Sequence, residues 1–344
     1  MRALLPVLAL AAGLAVACVA SPRMAAERAR APIYAVAAEP AASATGQVAQ
    51  PSALATRRIP APLRGITLDS VAALPEVLDA VEHLARRPTI RIVFDPGTEP
   101  ADYAEAIRAL RPHAYLMAEL VDSTAFRRTT RAQMVARARK FAGAFAGQID
   151  IWEIGNELNG AWLGADPQAI NDKVLAVHRV IAGEYHLRTA ITLNYWSGPG
   201  CIEHPWERTL PFARGMPAQV RAETRIVLLS VYETACSPPQ RPSAAELAGT
   251  LQRLGRLFPS ARLGIGEIGA QRRSDGLPDD PSLAEKQRVA RTYYGMHDAL
   301  RLQLGSRFVG GYFWWYFRED AVPRTRAQSL WPELDRLLAG LPDG

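Results

Sequence analysis

The fold class that the sequence predicts is α/β, a single (β/α)8 barrel. Three observations point to it. Short apolar segments that read as strands alternate with amphipathic helical segments. Eight such strand–helix units can be found. Together they occupy about 280 residues, close to the usual length of one barrel of this kind.

The predicted strands are short runs of apolar residues, often followed by a polar or charged one. In chain order they are 64–68, 89–94, 114–120, 149–154, 189–194, 225–231, 262–268 and 308–313. The predicted helices are 75–86, 100–110, 131–145, 167–184, 205–212, 244–258, 283–300 and 332–338. Proline stands at the start of several of them, where its missing N–H costs nothing.

A doubly wound open sheet is the alternative for such a pattern. It is disfavoured because no Gly-x-Gly-x-x-Gly follows the first strand. Gly264-Ile265-Gly266 resembles that motif, but it lacks the third glycine and belongs to the seventh strand. We expect these glycines to allow close packing between a strand and a helix.

The N-terminus predicts export. Arg2 precedes an apolar run, and Ala15-Val16-Ala17 has the small residues of a cleavage site, so residues 1–17 read as a signal peptide. The run is too short for a typical spanning helix. Cys18 fits the lipidated first residue of a lipoprotein, and ordinary secretion is the alternative. We expect a periplasmic, outer-membrane-anchored or extracellular protein.

Residues 18–60 are rich in Ala, Pro, Ser and Thr without a sustained period, which predicts a flexible tether ahead of a barrel at 61–341. The tether and signal peptide also explain the basic charge. The chain carries a net +6, and residues 1–60 hold six Arg against two Glu, which is +4. The remaining residues carry a net +2 and contain no basic stripe with interleaved aromatics, so nucleic acid is not an expected partner.

Two predicted strands end in a glutamate. The fourth strand is followed by Gly155-Asn156-Glu157, and the seventh contains Glu267 near its end. Burying a carboxylate costs several kcal/mol unless it is paired or neutralised, so a functional reason is expected. The carboxyl ends of the strands of such a barrel meet at one face, where two carboxylates can act together.

This pattern resembles the large clan of retaining glycoside hydrolases built on (β/α)8 barrels, the 4/7 superfamily. The resemblance covers the whole predicted barrel. It implies that Glu157 is the general acid/base, that Glu267 is the nucleophile, and that Asn156 donates a hydrogen bond to the 2-hydroxyl of the sugar. The alternative for both glutamates is a structural ion pair with arginine.

Further positions follow from the resemblance. The family often has His-x-Tyr at the end of the sixth strand, where this chain has Ser230-Val231-Tyr232. Tyr232 is therefore expected to bind the nucleophile, whereas Ser230 departs from the pattern. The family also places an aromatic residue under the sugar after the eighth strand, and Trp314 and Trp315 are the two candidates.

Other acidic residues stand at strand ends. Asp95, Glu119, Asp122 and Glu233 are expected either to bind substrate hydroxyls or to pair with arginine. Every second side chain along a strand points to the same side, so Glu153 should point into the barrel, as Glu157 should. We expect Arg91, on the second strand, to be its buried partner.

Cysteine and histidine usage agrees with an exported enzyme. Cys201 and Cys236 follow adjacent strands, so a disulfide between them is expected, with two free thiols as the alternative. The six histidines are scattered without metal-ligand spacing, and no Gly-x-Ser-x-Gly is present. We expect no metal, no organic cofactor and a monomeric state.

Two hypotheses of function follow. The first is a secreted or lipid-anchored retaining glycosidase that cleaves β-linked bonds in a polysaccharide. The second is a non-catalytic carbohydrate-binding barrel that has kept the cleft without turnover. The presence of both glutamates favours the first hypothesis, and the departure at Ser230 keeps the second open.

Overall fold

The computed structural model describes residues 57–274, 277–279 and 281–343. The predicted signal peptide, the lipidation candidate Cys18 and the tether up to residue 56 lie outside the described residues. Within the described ranges, no helix is both long and apolar enough to cross a membrane.

Eight parallel strands close into a barrel, which confirms the predicted fold class. The strands are β1 (Leu63–Leu68), β2 (Thr89–Val93), β3 (Tyr115–Glu119), β4 (Ile151–Glu153), β5 (Thr189–Asn194), β6 (Ile226–Val231), β7 (Arg262–Ile268) and β10 (Phe308–Trp314). Around the barrel the order is β1, β10, β7, β6, β5, β4, β3, β2. A small antiparallel hairpin, β8 (Arg272–Ser274) and β9 (Leu277–Asp279), follows β7.

Helices surround the barrel close to where they were predicted. The longer ones are Leu74–Glu82, Ala101–Leu110, Arg131–Phe145, Pro167–His178, Ala244–Leu257, Leu283–Tyr294, His297–Leu304 and Trp331–Gly340. Two predicted helices are interrupted: 167–184 continues as a π-helix from Arg179 to Glu184, and 283–300 breaks before His297. The sequence analysis missed the short helices Ser123–Phe126, Ala218–Glu223 and Phe317–Ala321 and the hairpin.

Apolar side chains form two layers. Those that face away from the barrel axis pack against the helices in one continuous core. A smaller cluster fills the N-terminal half of the barrel interior: Leu63, Met117, Ile151, Ala190, Ile226, Leu228, Val309 and Phe313. The C-terminal half of the interior is polar, and the site described below is built there.

Gly264 and Gly266 face the barrel interior, whereas the sequence analysis expected them to pack a strand against a helix. A Cβ atom at Gly264 would lie 2.6 Å from the carbonyl oxygen of Gly310 on β10. One at Gly266 would lie 2.8 Å from side-chain carbons of Leu228 and Thr192. The absence of side chains at these positions lets neighbouring strands and their inward-pointing residues fill this space.

Arg57, the first residue that the structure describes, already contacts the barrel, four residues before the predicted boundary at residue 61. Its guanidinium donates to both carboxylate oxygens of Asp150, at 2.9 and 2.5 Å. It also donates to the carbonyl oxygens of Arg111 and Ala114, at 3.0 Å each. Arg57 therefore belongs to the barrel rather than to the tether.

Candidate active site

Glu157 lies just beyond β4, at the C-terminal face of the barrel. Its φ of 50° places it in the left-handed region, which is uncommon for residues other than glycine. Three other described residues outside glycine share a positive φ: Ala73, His186 and Tyr312. Backbone strain of this kind costs on the order of 1 kcal/mol and is concentrated at functional sites. It turns the Glu157 side chain into the polar end of the barrel.

Glu267 points into the barrel because of a β-bulge. In the pairing of β6 with β7, Leu229 lies opposite Ile265 and Ser230 lies opposite Glu267, so Gly266 is an extra residue. Strict alternation would place Gly264 and Gly266 inward and Glu267 outward. The extra residue reverses that direction and brings the Glu267 carboxyl group, which is 2% exposed, to the barrel axis.

Three donors converge on the Glu267 carboxylate. Arg91 Nη1 and Asn156 Nδ2 donate to Oε1 at 2.6 and 2.8 Å. The Tyr232 hydroxyl donates to Oε2 at 3.0 Å. Burial raises the pKa of Glu267, while the Arg91 charge and the hydrogen bonds from Asn156 and Tyr232 oppose that rise. This arrangement favours an ionised carboxylate.

Glu157 has a different environment. Ser230 Oγ donates to its Oε1 at 2.9 Å, which is the hydrogen bond found for this carboxyl group within the described ranges. Burial first, and then the charge of Glu267, raise the pKa of Glu157 to about 8. At neutral pH the proton therefore resides on Glu157 while Glu267 is stabilised as the anion, a division of roles typical of an acid and a nucleophile.

A second pair of carboxyl groups lies beneath the first. Glu119 and Glu153 are opposite each other on β3 and β4, and both are fully buried. Arg91 Nη2 donates to Glu153 at 2.9 Å, and the Thr192 hydroxyl also donates to it, which confirms the expected Arg91–Glu153 partnership. Burial raises the pKa of Glu153 to about 7 against the opposing charge of Arg91.

Glu119 is the least compensated of these groups. Neither of its carboxyl oxygens has a hydrogen-bond partner among the described residues. Burial, followed by the charge of Glu153, raises its pKa well above the usual range. Because the side chain is fully buried, contact with a substrate would require the layer above it to open. The predicted role of Glu119 in substrate binding thus has no open route in this structure.

The two candidate tryptophans lie on opposite sides of β10. Trp314 is fully buried in the outer core, and its indole nitrogen donates to Asp320 at 2.8 Å, so it cannot stack on a sugar without leaving the core. Trp315 packs with Tyr232, Val93 and Tyr316. Of the two candidates, it is the one that shares a cluster with Tyr232, whose hydroxyl donates to Glu267.

The remaining predicted acids take several positions. Glu233 accepts two hydrogen bonds from Arg288, at 3.0 and 2.8 Å, and one from Arg241 at 2.9 Å, so its carboxylate is paired with arginine. Asp122 caps the helix Ser123–Phe126 through the Thr124 backbone N–H. Asp95 lies in the turn after β2, at the C-terminal face of the barrel, where its carbonyl oxygen accepts a hydrogen bond from Arg137.

Cross-links hold the loops around this face. Cys201 and Cys236 form the expected disulfide, with sulfur atoms 2.03 Å apart, which joins the loops after β5 and β6. Asn159 donates to the carbonyl oxygens of Asn194 and Glu207, tying the loop after β4 to the loop after β5. The loops that carry the site are therefore fixed to one another.

Sequence reasoning missed three contributors. It assigned Arg91 to Glu153 alone, whereas Arg91 also binds Glu267. It treated Ser230 only as a departure from the family pattern, whereas the hydroxyl contacts Glu157. It did not consider Thr192. The alternation of β5 and β6 could have shown that Thr192 and Ser230 point inward, but not which carboxyl group each one reaches.

Comparison with protein-family models and with characterised proteins found no match for the sequence. The fold does match solved structures. A xylanase from Cellvibrio japonicus matches with a TM-score of 0.52 and 11% identity, over 84% of this chain and 100% of its own. A β-glucosidase from Thermotoga maritima matches with a TM-score of 0.52 and 12% identity, over 76% and 90%. An endo-β-1,3-glucanase from Amycolatopsis mediterranei matches with a TM-score of 0.48 and 13% identity, over 79% of this chain and 98% of its own. At these identities the first two show that the fold is shared.

Proposed function

We propose that this protein is a retaining glycosidase that hydrolyses β-linked bonds in a polysaccharide. The observation that carries the proposal is the unequal treatment of two neighbouring carboxyl groups. Glu267 receives three hydrogen-bond donors, one of them a buried arginine, and Glu157 receives one from a neutral hydroxyl. The two proteins that share the fold are by name a xylanase and a β-glucosidase, which supports a glycosidase without deciding the substrate.

The proposed reaction has two displacements. A Glu267 oxygen attacks the anomeric carbon, the bond to the leaving oxygen breaks, and Glu157 gives its proton to that oxygen. Glu157, now ionised, takes a proton from water, and the resulting hydroxide displaces Glu267 from the anomeric carbon. The two steps restore both carboxyl groups and retain the anomeric configuration. In this proposal Asn156 donates to the sugar 2-hydroxyl, and Trp315 covers an apolar face of the ring.

Export is part of the proposal. A disulfide between Cys201 and Cys236 suits an oxidising compartment, in line with the predicted signal peptide. We infer that the protein acts outside the cytoplasm as a monomer, either free or held by a lipid on Cys18. Labelling cells with a radioactive fatty acid would separate the two, since only an acylated Cys18 incorporates label and Cys18→Ser must abolish it.

The test of function is a screen of the purified protein against a panel of polysaccharides, with reducing ends as the readout. Wild type should release reducing ends from at least one β-glycan, and Glu267→Gln should release none. The first product, followed by proton NMR, should have the anomeric configuration of the substrate. Binding of an oligosaccharide without any cleavage would favour the non-catalytic alternative, and an inverted product would exclude the double displacement.

A further inference from the structure

Three arginines lie at the N-terminal end of the barrel, opposite the carboxyl groups. Arg188 precedes β5, Arg225 precedes β6 and Arg262 begins β7. Their backbones are joined across the strands: the Arg262 N–H donates to the Arg225 carbonyl at 2.8 Å, and the Arg225 N–H donates to Thr189 at 3.2 Å. In register Arg262 lies opposite Ile226, so the side chain of Arg225, one residue earlier, leaves the sheet on the other side from that of Arg262. We call these three residues at the edge of the barrel the row.

Charge in this row is offset only in part from within the described part of the chain, where Asp150 acts on Arg188. None of the three arginines forms an ion pair with a carboxylate there. Arg188 donates to the Asp150 carbonyl at 3.2 Å, but the Asp150 carboxylate is held by Arg57. Burial and the charge of Arg188 lower the pKa of Arg262. The like charges of Arg188 and Arg262 repel, so an external anion would stabilise this end of the barrel.

A cleft of about 960 Å³ opens beside the row and is also lined by arginine side chains. Arg262, Arg58 and Arg301 line it, against one acidic residue, Asp298. Leu302 also lines it and is 86% exposed, which makes it the large apolar side chain that stands open to solvent in the described part of the chain. A basic surface with a protruding leucine combines the two features that bind a membrane interface.

We propose that this end of the barrel rests on a membrane surface that contains anionic phospholipids. The arginines would meet headgroup phosphates, and Leu302 would enter the interface. The chain reaches the barrel at the same end, since residues 57–62 lead directly into the N-terminal end of β1. This placement would leave Glu157 and Glu267 facing away from the membrane. A soluble anion would account for the arginines but not for Leu302.

The test uses the full chain carrying Cys18→Ser, so that an acyl group contributes nothing. Partition is measured by co-sedimentation with vesicles of phosphatidylcholine, with and without phosphatidylglycerol. Each arginine near an anionic surface strengthens binding roughly fivefold. The combined Arg188→Gln, Arg225→Gln and Arg262→Gln variant should thus lose about a hundredfold in partition to the anionic vesicles. Leu302→Ser should lose severalfold.

A control variant makes the same change of charge elsewhere. Arg127→Gln, Arg128→Gln and Arg131→Gln together alter exposed arginines that follow the C-terminal end of β3. Partition of this variant should stay within about twofold of the unaltered chain. If the row variant does not fold, Arg225→Gln with Arg301→Gln, both exposed, replaces it. Equal partition of the row and control variants would overturn the proposal, as would release by inorganic phosphate at constant ionic strength. Neither result depends on whether the protein is a glycosidase.

Discussion

At the scale of the residue, hydrogen-bond donors distinguish two otherwise equal glutamates. A carboxylate that accepts charged and neutral donors is stabilised in its ionised form, and one that is buried beside that anion retains its proton. Arg91 supplies the charge that separates Glu267 from Glu157. Asn156 adds a donor from the residue next to Glu157, so the two carboxyl groups share one hydrogen-bonded cluster.

Ser230 should set the alkaline limit of activity. Its hydroxyl stabilises ionised Glu157 and thus lowers a pKa that is nevertheless raised to about 8. Ser230→Ala removes that donor, so the pKa should rise and the protonated acid should persist to higher pH. The alkaline limb of kcat/KM should move upward by as much as about one pH unit. Ser230→Thr keeps a hydroxyl and should keep the limb, and a downward shift in the alanine variant would contradict the assignment.

Glu119 should make the protein less stable as the pH rises. The folded protein keeps this carboxyl protonated, whereas the unfolded chain releases the proton at about pH 4.3. The stabilisation is complete below that pH and is lost as the pH rises toward the folded pKa. Glu119→Gln is neutral throughout. Its melting temperature relative to wild type should therefore increase from about pH 4 to about pH 8, and a constant difference would show that Glu119 is ionised in the folded protein.

At the scale of the element, the β-bulge at Gly266 is what aims the nucleophile candidate. A Cβ atom there would meet Leu228 and Thr192 at 2.8 Å. Gly266→Ala should therefore displace β7 and misdirect Glu267, lowering kcat about tenfold or more, since small misplacements are costly to catalysis. Gly249→Ala is the matched control, because nothing lies within 4 Å of its new methyl group. Equal kcat in the two variants would show that the bulge is not required.

The strands were predictable because each is an apolar run bounded by polar residues, and their number and alternation with helices specify the barrel. The direction of side chains beyond a bulge was not predictable. Alternation along β7 and β10 assigns Glu267 and Trp314 to faces, but the register is irregular where β7 pairs with β6 and where β10 pairs with each of its two neighbours. Only the three-dimensional pairing shows that Glu267 and Trp315 face the site. The pairing of Glu233 with two arginines distant in sequence was equally hidden.

At the scale of the whole molecule, the two ends of the barrel differ in charge. Carboxyl groups gather at the C-terminal end, and arginines without carboxylate partners in the described part of the chain gather at the other. The N-terminal segment joins the barrel at the arginine end through Arg57. The predicted boundary at residue 61 would separate Arg57 from Asp150, whose side chain is 4% exposed.

Removing Arg57 should therefore destabilise the barrel. Arg57→Ala leaves the Asp150 carboxylate buried without its charge partner, which should lower the free energy of unfolding by about 2 kcal/mol, allowing for the partial exposure of Arg57. Arg58→Ala changes the adjacent residue, which makes no ion pair in the described part of the chain, and should stay within about 0.5 kcal/mol. Urea denaturation of both variants measures the difference, and equal midpoints would show that Arg57 does not stabilise the barrel.

The most direct test of the central claim is azide rescue of the two glutamate variants on an aryl β-glycoside with an activated leaving group. Glu157→Ala should still form the glycosyl-enzyme, because such a leaving group needs no acid. Added azide should then restore turnover and yield a glycosyl azide with the anomeric configuration of the substrate. Glu267→Gln should remain inactive, with or without azide. Equal loss of activity and of melting temperature in both variants, with no rescue of Glu157→Ala, would show that the glutamates are a structural ion-pair cluster rather than an acid/base and a nucleophile.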